Sequence, residues 1–247
     1  MVRRYPHPGR GFTQGLIAGT GSASPIAVWE STGLYGESAL CRYRLGHLQP
    51  QQRAALPGHL FGEGICRVGS GAYIWQLTWQ DRVALRWDAR TLELVDQVAY
   101  NREGWGICSV TTTGGVSVIT SDGSGELVHR DPDTLNPLHV IHVRLAGQRI
   151  LGLNDLAWSA GRVWANIFGT SYVTGIDPGT GEVTDVVDAG RASERHRGDP
   201  EAVMNGIAAL PAEGEFLLTG KTWRAIRHVR LVPGRARLRA VRDGLPV

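Results

Sequence analysis

Phe61-Gly62-Glu63-Gly64-Ile65 places one polar side chain between glycines and flanks the unit with apolar residues. The same opening recurs as Phe12-Thr13-Gln14-Gly15-Leu16, Gly104-Trp105-Gly106-Ile107, Leu153-Asn154-Asp155-Leu156 and Met204-Asn205-Gly206-Ile207. The residues before the glycine (Asp155 in the fourth unit) are Gln14, Glu63, Trp105, Asn154 and Asn205, separated by 49, 42, 49 and 51 positions. Each opening leads into a second apolar run, such as Tyr73-Ile74-Trp75-Gln76-Leu77 or Val163-Trp164-Ala165-Asn166-Ile167. A third run ends in turn chemistry, seen in Asp88-Ala89-Arg90-Thr91, Asp131-Pro132-Asp133-Thr134 and Asp177-Pro178-Gly179-Thr180. A fourth alternating run, as in Leu92 to Val98, closes the unit. Four short strands per repeat of this length are the mark of a propeller blade. Helical spacing of apolar residues is absent. The expected fold is all-β, a five-bladed β-propeller with about four antiparallel strands per blade. The blades fall at roughly 12–58, 59–100, 103–145, 150–190 and 202–244 of a single domain covering 1–247.

The bulk composition agrees. The 33 glycines and 12 prolines are spread along all 247 residues, as many short turns require. No apolar run reaches the roughly 18 residues of a membrane span. Met1-Val2-Arg3-Arg4 runs into Tyr5-Pro6-His7-Pro8 with no apolar segment, so no signal peptide is expected in this chain. The net charge of +3 is carried by scattered arginines. Only Arg224 to Arg242 is dense in them, and a solvated strand face explains that stretch better than a nucleic-acid patch. That last strand is a candidate to pair with Arg3-Arg4-Tyr5 and close the ring. Cys41, Cys66 and Cys108 have no CxxC or metal-ligand spacing, and buried free thiols are expected.

A propeller brings the first strand of every blade to its central channel, so Gln14, Glu63, Trp105, Asn154 and Asn205 form one ring. Sixteen residues beyond four of them stand Glu30, Trp79, Ser121 and Lys221, and fourteen beyond Asn154 stands Phe168. These form a second ring. Lys221 is the sole lysine against 25 arginines. A compact ammonium differs from a guanidinium wherever a site needs a point charge or a movable pKa. Its convergence with Glu63 is the main inference about the site. Trp29, Trp75, Trp87, Trp158 and Trp164 are expected in the core.

Phe12-Thr13-Gln14-Gly15-Leu16, Glu30-Ser31-Thr32-Gly33-Leu34-Tyr35-Gly36, Phe61-Gly62-Glu63-Gly64, Leu77-Thr78-Trp79, Gly104-Trp105-Gly106, Ser121-Asp122-Gly123-Ser124, Leu153-Asn154-Asp155-Leu156, Val163-Trp164-Ala165-Asn166 and Thr219-Gly220-Lys221 resemble the plant and bacterial type of glutaminyl cyclase. Nine pieces occur in that family's order between about 12 and 223. The resemblance implies conversion of N-terminal glutamine to pyroglutamate with release of ammonia. It implies a peptide or protein partner bearing N-terminal glutamine, no metal or other cofactor in catalysis, and an exported or periplasmic setting. A structural Ca²⁺ in the channel is compatible with it, and neither nucleic acid, membrane nor a second copy is called for. Glu63 is the expected general acid and base, since an apolar surround lifts a carboxyl pKa towards neutrality. Lys221 is expected to stabilise the oxyanion. Phe12, Gln14, Phe61, Trp79, Trp105, Asn154 and Phe168 are the expected substrate-binding residues. The family usually has Trp at Phe168, an Asp soon after it where this chain has Thr170-Ser171-Tyr172, and Trp-Pro where it has Trp223-Arg224. Two alternatives stand beside the cyclase: a Ca²⁺-dependent propeller hydrolase of lactonase type, with Glu63, Asn154, Asn205 and Asp122 as oxygen donors, and a non-enzymatic binding platform.

Overall fold

A computed structural model describes residues 1–21, 24–112, 115–194 and 199–232. Among them there is no α-helix, only strands and three short 3-10 turns. Five four-stranded antiparallel sheets form the blades of a β-propeller. The N-terminal strand β1 (Arg3–Pro6) precedes blade one, which holds β2 (Thr13–Ala18), β3 (Ala27–Thr32), β4 (Ala39–Arg44) and β5 (Gln52–Ala55). Blade two holds β6 (Gly62–Val68), β7 (Tyr73–Thr78), β8 (Val83–Asp88) and β9 (Leu94–Ala99). Blade three holds β10 (Ile107–Thr112), β11 (Gly115–Thr120), β12 (Glu126–Arg130) and β13 (Pro137–His142). After the hairpin β14 (Arg144–Leu145) and β15 (Gln148–Arg149) comes blade four: β16 (Leu153–Ser159), β17 (Arg162–Ile167), β18 (Tyr172–Ile176) and β19 (Val183–Asp188). Blade five holds β20 (Met204–Ala209), β21 (Glu215–Gly220) and β22 (Ala225–Arg230).

The fourth strand of blade five is β1. It pairs antiparallel with β22, Arg3 opposite His228 and Tyr5 opposite Ile226. The last blade therefore joins both ends of the described chain, and the part of the expected blade beyond 232 lies outside the described residues. Pairing β1 onto β22 covers an edge that would otherwise present free backbone groups. Closure is fastened inside by His7, just after β1, whose Nε2 lies 2.9 Å from Glu30 Oε1. Thr13 Oγ1 donates to the same oxygen at 2.6 Å.

Every seam between neighbouring blades has its own apolar cluster. Trp29 and Leu40 meet Ile74 and Leu85 between blades one and two, and Trp164 and Val173 meet Phe216 and Leu218 between four and five. The third-strand turns serve these seams. Asp88, Asp131 and Asp177 each accept the backbone N–H groups two and three residues on through Oδ1. The turns so fixed present Ala89 O to the Trp29 indole at 3.0 Å and Pro132 O to the Trp75 indole at 2.8 Å. Trp29, Trp75, Trp87 and Trp164 are buried, whereas Trp158 is half-buried at the edge of its cluster. All three cysteines are free thiols, but Cys41 is half-buried because it lies on β4, towards the outside of its blade.

The repeated glycines permit close contact at the axis. A Cβ on Gly15 would stand 2.7 Å from Ile65 N, and one on Gly64 2.5 Å from Trp105 O. A Cβ on Gly106 would overlap the Asn154 carbonyl oxygen. Backbone cannot yield as a flexible side chain can, and overpacking costs about 1–3 kcal/mol. Gly64→Ala is accordingly expected to lower unfolding stability by about 2 kcal/mol. Denaturant unfolding beside Gly58→Ala checks this, since a Cβ on Gly58 meets only Gly36 at 3.8 Å.

Candidate active site

Four of the five inner strands bulge where the ring residues sit. The register slips between Thr13 and Gly15, Gly62 and Ile65, Leu153 and Leu156, and Met204 and Ile207. A bulge re-aims the residue that it leaves unpaired. Here those residues include Gln14, Glu63, Asn154 and Asn205. In blade three, Trp105 and Gly106 precede β10 and need no bulge.

The end of the channel where the inner strands begin opens into a cavity of about 250 Å³. Glu63, Lys221, Phe12, Gln14, Phe61, Trp79, Trp105, Asn154 and Phe168 all line it, together with Leu34 and Glu201. Its walls are edge-to-face aromatic pairs: Phe12–Phe61 at 6.2 Å, Phe61–Trp79 at 5.5 Å and Trp105–Phe168 at 5.5 Å between centroids. Phe168 is 41% exposed, so it forms the rim of the cavity instead of a sealed wall.

A polar relay crosses the floor. Asn205 Nδ2 donates to Gln14 Oε1 at 2.7 Å and to Thr13 O at 3.2 Å. Gln14 Nε2 then donates to Glu63 Oε1 at 2.7 Å. The amide of Gln14 is thereby oriented, and its nitrogen has one further hydrogen for another acceptor. Asn154 Oδ1 is buried with no hydrogen-bond partner among the described residues, a free acceptor of the kind that asks for a ligand donor. Burial pushes the Glu63 carboxyl well above the ordinary carboxylate range, Lys221 opposes this, and Asp155 and Glu103 add to it.

Lys221 directly follows β21. Its N–H donates to Val203 O at 3.0 Å, and Thr222 turns the chain with a left-handed φ of 61°. Such a conformation is strained for a β-branched residue and is held here by Thr222 N to Gly11 O at 3.0 Å and Thr222 Oγ1 to Asp199 at 3.2 Å. Gly220 is needed because the Trp223 indole packs where its Cβ would stand. Lys221 Nζ lies over the rings of Phe12, at 4.6 Å, and Phe168, at 5.3 Å. Two aromatic faces thus hold the ammonium inside the cavity, a favourable cation–π placement. Burial lowers its pKa, against the pull of Glu63 and Glu201.

Three residues of the two predicted rings serve the frame instead. Glu30 bonds His7 and Thr13, and Asn205 holds Gln14. Ser121 Oγ accepts from Gly106 N and donates to Asn154 O, each at 2.9 Å, tying blade three to blade four. Of the oxygens considered for a cation, Asp122 bonds Arg102 at 2.8 Å and Ser124. Sequence reasoning missed four groups. Asp155 takes the place of the repeated glycine, and that departure was its only signal. Its buried carboxylate accepts from Ile207 N at 2.8 Å across the seam, and burial raises its pKa against bonds from the Ile207, Leu156 and Leu16 amides. Leu34 and Glu201 reach the cavity from loops, and Glu103 stands behind its tryptophans, all outside the repeat register.

A propeller that gathers one buried carboxylate and one buried ammonium in an aromatic cavity at its channel mouth has the equipment of an enzyme for acid–base chemistry. The sequence model for glutamine cyclotransferase matches residues 1–231. The chain is 34% identical to the glutaminyl cyclase of Myxococcus xanthus, whose crystal structure superposes with a TM-score of 0.83 over 95% of this chain and 96% of that one. It is 29% identical to the glutaminyl-peptide cyclotransferase of Arabidopsis thaliana over 237 residues, 94% of this chain and 70% of that protein. The β-propeller domain of Cps50 (Swd1) from Myceliophteria thermophila, at 10% identity and a TM-score of 0.52, shares the fold alone. The chain belongs to the glutamine cyclotransferase family and is an enzyme of the glutaminyl cyclase class.

Proposed function

We propose that this chain converts N-terminal glutamine of peptides or proteins to pyroglutamate with release of ammonia, using its own side chains and no metal ion, and that it works as a monomer. The observation that carries this reading is the meeting of Glu63, from blade two, with Lys221, from blade five, inside one aromatic cavity. In the reaction the substrate's α-amine attacks the carbon of its own γ-carboxamide. A C–N bond forms and closes the lactam ring, the carbonyl π electrons move to oxygen, and the bond to the amide nitrogen then breaks. Glu63 takes the proton shed by the attacking amine and delivers it to the departing nitrogen, which leaves as ammonia. The enzyme returns to its starting protonation state.

The ammonium of Lys221 supports the oxyanion, its position set by Phe12 and Phe168. The free hydrogen of Gln14 Nε2 and the open Oδ1 of Asn154 suit the oxygen and nitrogen of a carboxamide. Phe61, Trp79 and Trp105 shut out water, which strengthens every charge interaction inside.

The working state needs Glu63 ionised and Lys221 protonated. Glu63 sits above its ordinary value, so kcat should rise with pH through a midpoint above the usual carboxylate range. Lys221 sits below its ordinary value, so kcat should fall again before the usual lysine range. A kcat profile with N-terminal glutamine dipeptides tests this. A narrowed bell is the expected outcome, and activity flat down to the ordinary carboxylate range would remove Glu63 from the proton-transfer role.

A further inference from the structure

Glu103 lies on the segment joining β9 to β10, two residues before Trp105. Its Oε2 accepts the indole N–H of Trp79 at 3.1 Å and that of Trp105 at 3.3 Å. Its Oε1 accepts from Gln80 Nε2 at 2.9 Å. The neighbouring Arg102 is turned to Asp122 and Glu126, and no Arg or Lys among the described residues pairs with Glu103. Trp79 follows the last strand residue of β7 in blade two, while Trp105 precedes β10 in blade three. One carboxylate oxygen therefore holds two cavity walls together across a seam. The other bonded indoles, Trp29, Trp75, Trp164 and Trp223, all donate to backbone carbonyls.

We propose that Glu103 is a positioning residue: its carboxylate locks the indoles of Trp79 and Trp105 into one wall of the cavity that holds Glu63. Two consequences follow. An indole N–H in a half-buried wall gains from an acceptor, and a charged acceptor binds it more tightly than a neutral one. The charge also disfavours ionisation of Glu63. The other ionisable groups acting on Glu63 are Lys221, which favours its anion, and Asp155, which disfavours it; Tyr35, whose own ionisation Glu63 opposes, stands nearby.

Glu103→Gln separates the two effects. The amide oxygen can still accept from the indoles, and Gln80 can turn its own amide to meet the new NH₂ group. Only the charge is lost. KM should stay within about threefold, since a neutral acceptor replaces a charged one. The acidic limb of the kcat profile should move to lower pH, because a group that raised the Glu63 pKa is gone. Glu103→Ala removes the bonds as well, and KM should rise about tenfold or more as two donors lose their acceptor.

The kinetic arm rests on the cyclisation proposed above, whereas indole ¹H–¹⁵N spectra of wild type and Glu103→Gln do not. Among the eight tryptophans, the signals of Trp79 and Trp105 should move while those of Trp29, Trp75, Trp164 and Trp223 stay. Unmoved Trp79 and Trp105 signals would overturn the assignment, as would an unmoved acidic limb in an active Glu103→Gln enzyme. If Glu103→Ala does not fold, Glu103→Gln decides alone. If the wild type cyclises no glutamine peptide, the reaction fails, and the indole signals still decide whether Glu103 sets the wall.

Discussion

Glu63→Gln is expected to lower kcat by about 10²–10⁴-fold, the range that a positioned acid–base group supplies. The substitution is nearly isosteric. Its amide oxygen can keep the bond from Gln14 Nε2, seen at 2.7 Å, so substrate contacts and cavity shape are retained. It also removes a carboxylate that burial disfavours, while Lys221 loses the anion that opposed the cost of its own burial. These effects oppose each other, so the thermal midpoint should stay close to that of wild type while turnover collapses. Single-turnover kinetics and a melting curve on the same sample separate loss of chemistry from loss of fold. Turnover within tenfold of wild type would show that the proton moves elsewhere.

Replacing Lys221 by Met should cost about 10²–10³ in kcat, the scale measured when one preorganised oxyanion donor is removed. Met matches the stem and can lie between Phe12 and Phe168, so packing is largely kept. A secondary effect gives the prediction its sign. Lys221 favours the Glu63 anion, so without it the Glu63 pKa climbs and the acidic limb of any remaining activity moves to higher pH. That direction is opposite to the one expected for Glu103→Gln. Arginine should not restore wild-type turnover, because a planar guanidinium is broader than an ammonium in the gap between the two rings. A Lys221→Arg enzyme with full kcat would mean that charge alone matters at this position.

The sequence made the fold legible because each blade repeats one strand pattern, and the residues before Gly15, Gly64, Gly106 and Gly206 mark the axis. Seven of the nine residues that line the cavity were legible for the same reason, because equal positions in equal blades face one channel, whereas Phe12 and Phe61 were named only through the family resemblance. Groups that act across the repeat were not legible. Glu103 binds two tryptophans from different blades through a loop position with no counterpart elsewhere. Asp155 bridges a seam where its fellows carry glycine, and the relay from Asn205 through Gln14 runs between the first and fifth blades. Such contacts depend on where loops end in space, which no period records. The pairing of Arg3-Arg4-Tyr5 with the Arg-rich last strand was an expectation from the sequence, and β1 does pair with β22 and completes the fifth blade from the other end of the chain.

The most direct test follows wild-type enzyme with an N-terminal glutamine peptide after metal removal by chelation, with ammonia and pyroglutamate counted in the same reaction. Equal amounts of both products, at a rate unchanged by chelation, are predicted for a cavity that works through Glu63 and Lys221. Loss of both products on chelation, with recovery on adding back a metal ion, would contradict that account.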